Sequence, residues 1–234
     1  MTQSHSDSPG LSPDAMAADP MQQFARWMAD AASLSRTELP EPTAMVLATV
    51  SGQDRPRART VLLKAHGAEG FTFYTNRTSR KGQDLAANPR ACVVFPWYPL
   101  QRQVTVEGTV AMLSQQDSEP YFRSRAHGSQ LSAWASRQST VLNDRAQLDD
   151  RAAELDRRWP EGTEVPMPDF WGGYLLTPET VEFWQSGQFR LHDRLRYRRT
   201  AVGWEIERLS PLYAGVFPRL AALRHSITAG GMRS

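Results

Sequence analysis

The chain is poor in the residues that thiol and metal chemistry require. Cys92 is the single cysteine among 234 residues, which excludes an intrachain disulfide and any cluster of thiolate ligands. It lies in the apolar run "ACVVFPW", where a buried, inert thiol is expected. The five histidines, His5, His66, His127, His192 and His225, show no metal-ligand spacing, so no metal is expected. No apolar run approaches the length of a bilayer span. The opening "MTQSHSDSPGLSPDAMAADP" lacks the basic start and apolar stretch of a secretory signal. Together these absences point to a reducing cytoplasm and no membrane. Charge of one sign is scarce as well: 27 basic residues face 25 acidic ones, a formal net charge of +2. That is too little to argue for a nucleic-acid partner, so any anion site must be a local cluster.

What is present suggests one α+β domain over residues 20–211. Residues 1–19, rich in Ser, Pro and Asp, read as disordered or loosely attached. Residues 212–234 read as a C-terminal extension of unknown role. "DPMQQFARWMADAASL" opens as a helix: Asp19 caps it, Pro20 suits the first turn, and Phe24, Met28 and Ala31 share a face. The period then shortens. "TAMVLATV", "RARTVLLK", "GFTFYTN", "ACVVFPW" and "RQVTVEGTVAML" are β-branched or aromatic runs separated by turn signals such as "SGQDRP" and "HGAEG". Five strands at this spacing suggest an antiparallel sheet that curls into a barrel. Helices are expected at "SRKGQDLAANP", "SQQDSEPYFRSRA", "SQLSAWASRQS" and "NDRAQLDDRAAELDRRW". A Pro- and Gly-rich crossing, "EGTEVPMPDFWGGY", follows. Strands return at "GYLLTP", "ETVEFWQ", "RLRYRR" and "GWEIERLSP".

Five polar clusters punctuate this pattern. "SRKGQDLAANPR" places Arg80 and Lys81 behind Ser79 at a helix start. Ser79 can cap free amides there, but cations are disfavoured at the positive end of a helix unless an anion joins them. In "RARTVLLK", Arg59 and Lys64 bracket a strand, either as solvated ends or as ligands; their odd spacing puts them on opposite faces unless a bulge intervenes. Tyr121, Arg125 and Ser129 fall four apart, so one helical face would carry a phenol, a guanidinium and a hydroxyl. That trio suits a phosphate or a solvated face equally. Gln138 and Ser139 in "SRQS" are small polar donors at a helix end, where capping is the simplest role. Arg190, His192 and Arg194 alternate, and on a strand they would share one face; two arginines and a histidine side by side call for an anion or a polar ring.

Taken together, "RTVLLK", "FYTNRTSRKG", "NPRACVVFPW", "RQVTVEG", "YFRSRAHGSQ", "SRQS", "FWGGY" and "EFWQSGQFRLHDR" resemble the pyridoxamine/pyridoxine 5'-phosphate oxidase family in order and spacing, from about Asp19 to Pro211. The resemblance implies an FMN-binding split β-barrel, antiparallel and Greek-key-like with peripheral helices. It implies a homodimer with FMN at the subunit interface. It also implies oxidation of pyridoxine or pyridoxamine 5'-phosphate by O2 to pyridoxal 5'-phosphate, with release of H2O2, and NH3 from the amine.

By the same resemblance, Arg59, Lys81 and Ser139 would hold the FMN phosphate, with Ser79, Arg80 and Gln138 beside them. Thr60, Val61, Leu62, Leu63, Lys64, Tyr74 and Thr75 would continue the cofactor lining. Gln103, Trp184 and Arg194 would surround the flavin ring. Lys64, Tyr121, Arg125 and Ser129 would grip the substrate phosphate, while Arg190 and His192 would hold its ring against the flavin as the catalytic pair. The segment Met1 to Ala18 has neither the arginine nor the tyrosine that close over substrate in many members. Two other readings stand beside this one: a flavin oxidase of the same fold with another substrate, and a non-enzymatic binder of flavin or pyridoxal phosphate. The complete set from Lys64 to His192 argues against both.

Overall fold

A computed structural model of the chain describes residues 10–211; residues 1–9 and the extension 212–234 lie outside it. Helix α1 (Pro20–Ser33) begins as its sequence requires. Asp19 Oδ1 accepts from the Met21 amide at 2.6 Å, and Pro20 occupies the first position, where no amide hydrogen is needed. Its apolar stripe buries Met21, Phe24, Trp27 and Ala31. The Phe24 ring packs edge-on against Phe71, 4.8 Å between centroids, and Trp27 packs edge-on against Phe183 at 5.1 Å.

The nine strands among the described residues join in one antiparallel sheet. They are β1 (Ala44–Val50), β2 (Pro56–Leu62), β3 (Ala65–Gly67), β4 (Gly70–Asn76), β5 (Arg90–Trp97), β6 (Arg102–Met112), β7 (Trp171–Gln185), β8 (Asp193–Thr200) and β9 (Gly203–Arg208). The order is β2-β1-β5-β6-β7-β4-β3, with β8 also on β7 and β9 on β8. Strand β7 is the pivot. Its first half pairs with β4, from Trp171↔Asn76 to Leu176↔Phe71, and its second half pairs with β8. Its other edge is held by β6 from Tyr174 to Gln185.

The sheet curls because period-2 burial puts one face inward. Met45, Leu47, Val93, Phe95, Val104, Val106, Phe183 and Tyr197 are all fully buried there. "GYLLTP" and "ETVEFWQ", expected as two strands, form one. Pro178 lacks a ladder donor, yet it falls at the register shift opposite Glu107 and Gly108, where a bulge absorbs it. "HGAEG", read as a turn, contributes the short β3.

The remaining helices are α2 (Arg80–Ala87), between β4 and β5, and α3 (Gln115–Ser124), α4 (His127–Ala135) and α5 (Ala146–Arg158), between β6 and β7. This last group makes a second small core of Phe122, Leu131, Val165 and Trp171. The described part of the segment read as loose, residues 10–19, docks on β8 and β9. Leu11 N donates to Asp193 Oδ2 at 3.0 Å, and the buried Tyr197 hydroxyl donates to Ala17 O at 2.6 Å. Among the described residues no helix is long and apolar enough to cross a membrane.

Candidate active site

A cleft of about 910 Å³ opens between β2, the end of β4, the start of α2 and the α3–α4 corner. Local chemistry builds its floor. Where β4 ends, Asn76 Oδ1 accepts from the amide and hydroxyl of Thr78, both at 2.7 Å, and turns the chain into α2. Ser79, fully buried, caps the helix by accepting from Gly82 N. A β-carbon at position 82 would stand 2.1 Å from the Arg77 carbonyl oxygen, so the tight entry needs glycine.

The turn aims Lys81 inward. Its ammonium donates to Gln138 Oε1 at 2.7 Å, Thr75 Oγ1 at 3.2 Å and Ser79 Oγ at 3.4 Å, all neutral acceptors. Burial, and then the neighbouring Arg59, push its pKa down to about 8. Arg80 N donates to Ser139 Oγ at 3.2 Å, which brings the turn after α4 onto the start of α2. Ser139 itself has a left-handed backbone, φ 72°. The expected end-of-helix cap is thus made to another helix, α2.

On β2, Arg57 and Arg59 are two apart and share the face toward the cleft. Arg59 Nη1 donates to Thr49 Oγ1 at 2.7 Å and to Leu47 O at 3.2 Å. Burial lowers its pKa, opposed by the charge of Asp84. At the far end Tyr121, Tyr74 and Trp171 form an aromatic wall, with Tyr121 stacked on Tyr74 at 4.1 Å and Trp171 stacked on Tyr74 at 5.3 Å. The Arg125 guanidinium sits 4.9 Å over the Trp171 ring, and its Nη1 is buried without a hydrogen-bond partner. Burial lowers the Arg125 pKa. Tyr121, Arg125 and Ser129 do not share one helix: α3 stops at Ser124 and Ser129 belongs to α4. The break between the helices still leaves all three on the cleft.

Among the described residues six cationic side chains line this cleft (Arg57, Arg59, Lys64, Arg80, Lys81 and Arg125), and no carboxylate does. A buried ammonium with only neutral acceptors, at Lys81, and a half-buried guanidinium with an orphaned donor, at Arg125, fit anionic ligands, phosphates above all. Of the residues expected from sequence, Arg59, Thr60, Val61, Leu62, Lys64, Tyr74, Thr75, Arg80, Lys81, Tyr121, Arg125, Ser129, Gln138 and Ser139 line it together. Leu63 instead turns its side chain into the core, and Ser79 acts from beneath as the cap.

Gln103, Trp184, Arg190, His192 and Arg194 lie elsewhere, at the β6–β7–β8 end. Gln103, Trp184 and Arg194 sit side by side in register across those three strands. The His192 ring leans on Trp184, 4.7 Å between centroids, and its Nδ1 accepts from Gly187 N at 3.2 Å. The strand face expected to carry Arg190, His192 and Arg194 does not form. Residues Gln188–Arg190 make a 3-10 turn, Phe189 and Arg190 are left-handed at φ 53° and 64°, and β8 starts only at Asp193. The repulsion is relieved by that turn and by Glu182, which accepts from Arg194 Nε at 2.7 Å and from Nη2 at 3.0 Å. Arg57 and Trp171 line the cleft but were not singled out in the sequence. Arg57 was findable, because two residues before Arg59 on a strand means the same face; Trp171 stood within the quoted "FWGGY".

A family model described as pyridoxamine 5'-phosphate oxidase matches residues 34–158. A second, described as the pyridoxine 5'-phosphate oxidase C-terminal dimerisation region, matches residues 171–211. The chain is 56% identical over 203 residues to a pyridoxine/pyridoxamine 5'-phosphate oxidase of Frankia alni, covering 86% of this chain and 84% of that one. It is 50% identical over 204 residues to the protein of the same name from Streptomyces avermitilis, covering 86% and 91%. Among solved structures it is similar to PhzG from Burkholderia lata 383 in complex with tetrahydrophenazine-1-carboxylic acid, with TM-score 0.78 and 32% identity over 86% of this chain and 98% of that one. A pyridoxamine 5'-phosphate oxidase-related, FMN-binding protein from Nostoc punctiforme shares the fold, with TM-score 0.63 and 17% identity over the same shares, 86% and 98%.

Proposed function

The chain belongs to the pyridoxamine 5'-phosphate oxidase family, an FMN-dependent oxidoreductase of split-barrel fold, and from that premise we propose that it converts pyridoxine and pyridoxamine 5'-phosphates to pyridoxal 5'-phosphate. The observation that carries this reading is the cleft lined by six cations and, among the described residues, no carboxylate; we assign two phosphate places within it. At one, Arg59, Lys81, Arg80 and Ser139 hold the phosphate of FMN. At the other, Lys64, Arg125, Tyr121 and Ser129 hold that of the substrate, where the orphaned Arg125 Nη1 gains its missing acceptor.

When bound, FMN would accept a hydride from the substrate C4' carbon and pass the electron pair to O2, released as H2O2; the alcohol then gives the aldehyde directly, and the amine gives an imine that water hydrolyses to aldehyde and NH3. The chain's own residues do the rest by placement. Anchoring the substrate phosphate removes rotational freedom far from the reacting carbon. The aromatic wall of Tyr74, Tyr121 and Trp171 excludes water from that end. Arg190 and His192 hold the pyridine ring, and Gln103, Trp184 and Arg194 border the flavin ring.

These five lie outside the cleft of their own chain and within or opposite the matched dimerisation region. A homodimer in which each cleft is completed by the other subunit accounts for that division. Peroxide release on adding pyridoxine 5'-phosphate to the purified yellow protein tests the reading. A second reading has one observation in its favour: the Burkholderia lata relative is in complex with a carboxylic acid, and Arg125 with Lys64 would also suit a carboxylate. Dephosphorylated pyridoxine separates the two, because the first reading requires its turnover to collapse.

A further inference from the structure

Asp84 lies behind the cationic end of the cleft, on the second turn of α2, and lines none of it. It is 3% exposed. Its Oδ1 accepts from Arg57 Nη1 at 2.6 Å and its Oδ2 accepts from Thr49 Oγ1 at 2.8 Å, with Arg59 Nη2 standing 3.6 Å from the same oxygen. The equally buried Thr49 hydroxyl accepts in turn from Arg59 Nη1. A carboxylate only accepts. The Thr49 proton is therefore committed to Asp84, and the hydroxyl's lone pair is turned toward Arg59. Asp84 thus sets the direction of the relay that holds the Arg59 guanidinium. Because α2 also presents Arg80 and Lys81 from its first turn, the same carboxylate ties the helix carrying Lys81 to the strand carrying Arg59.

We propose that Asp84, through Thr49, is a positioning residue for the flavin phosphate; this rests on the reading of the Arg59–Lys81 end as the phosphate site of FMN. Simple electrostatics argues the other way, since deleting a negative charge behind six cations would strengthen anion binding. The two accounts differ in sign.

The test uses ligand-free parent, Asp84→Asn and Thr49→Val proteins titrated with FMN and with riboflavin, which lacks the phosphate, by quenching of flavin fluorescence. An amide at position 84 can donate to Thr49 and abolishes the fixed direction of the relay. FMN affinity then falls about tenfold, the scale of one misplaced charge-assisted contact, while riboflavin affinity stays near that of the parent. Thr49→Val keeps the Asp84–Arg57 pair, removes only the hydroxyl link between Asp84 and Arg59, and lowers the FMN preference by about threefold. FMN binding by Asp84→Asn that equals or exceeds the parent's overturns the proposal. So do equal losses for both flavins, which signal general loosening. If the buried arginines unfold Asp84→Asn, Thr49→Val decides, and an unchanged FMN-to-riboflavin preference overturns the idea. A parent with no preference for FMN over riboflavin overturns the phosphate reading itself, and this inference with it.

Discussion

The β8–β9 ribbon and the cleft are both rich in arginine, and they use it in opposite ways. On the ribbon every strand arginine that faces a carboxylate takes it: Arg194 pairs with Glu182, Arg196 with Glu207, Arg198 with Glu205 and Glu207, and Arg208 with Asp193. In the cleft only Arg57 and Arg59 share an acid, Asp84, while Lys64, Arg80, Lys81 and Arg125 have no ion pair among the described residues. Paired surface charges contribute little to stability. Unpaired ones, held in place by neutral acceptors, ring faces and helix geometry, keep their capacity for a ligand. Composition is the same in both places; the acids make the difference.

The sharpest break would come from a cation unpaired in the described residues yet outside the cleft. Arg190→Ala is expected to lower kcat about a hundredfold, because ring misplacement near the reacting carbon costs rate, with FMN content near normal. Arg125→Ala should instead mainly raise KM, since a phosphate grip is equal in ground and transition states. Steady-state kinetics with pyridoxine 5'-phosphate compares them, and the reverse pattern would exchange their roles.

Next in size, Lys81→Ala should weaken FMN binding about ten- to a hundredfold, measured by flavin titration of the ligand-free protein. A variant that binds as tightly as the parent would remove Lys81 from the phosphate site.

Smaller still is the pH response of the same group. With its pKa at about 8, Lys81 is charged below that value and FMN affinity is level there. As pH rises through it, the ligand-free amine must regain a proton to bind, and the dissociation constant should climb by up to tenfold per pH unit. Stability of the ligand-free fold moves the other way. The unfolded lysine keeps its proton to about 10.4 whereas the folded one sheds it earlier, so this group adds stability between those two values. Affinity profiles that do not bend near pH 8, or that bend equally in Lys81→Ala, would place the titration elsewhere.

The smallest effect belongs to the ribbon. Arg196→Ala should leave FMN affinity unchanged and shift the thermal midpoint by about 2 °C or less. A tenfold loss of flavin there would erase the contrast between the two regions.

Most cleft residues were expected through the family resemblance, and what spacing alone could show is local. Asn76, Ser79, Lys81 and Gly82 act within one turn, and a capped helix start with two cations is visible as spacing. The strands were legible wherever alternation was strong, as in β1 and β5. What escaped depends on the third dimension. Pro178 looked like a stop between two strands, and only the bulge beside it, where Glu179 of β7 is the extra residue, keeps it within one. The alternation of Arg190, His192 and Arg194 suggested a strand, but left-handed Phe189 and Arg190 bend the chain before the ladder begins. Asp84 gave no signal at all, since its partners Thr49 and Arg57 arrive from other strands.

Strand β7 also sets the order in which the molecule can come together. Phe71 to Asn76 on β4 have their partners on residues 171–176, so this edge stays open while everything between, including α2 and the α3–α5 group, is synthesised. Closing so long a loop is an entropic delay that local helix formation cannot shorten. The strand that carries Tyr74 and Thr75 is therefore among the last surfaces to be sealed, and a nascent chain released before β7 emerges would present an apolar edge ready for unwanted pairing.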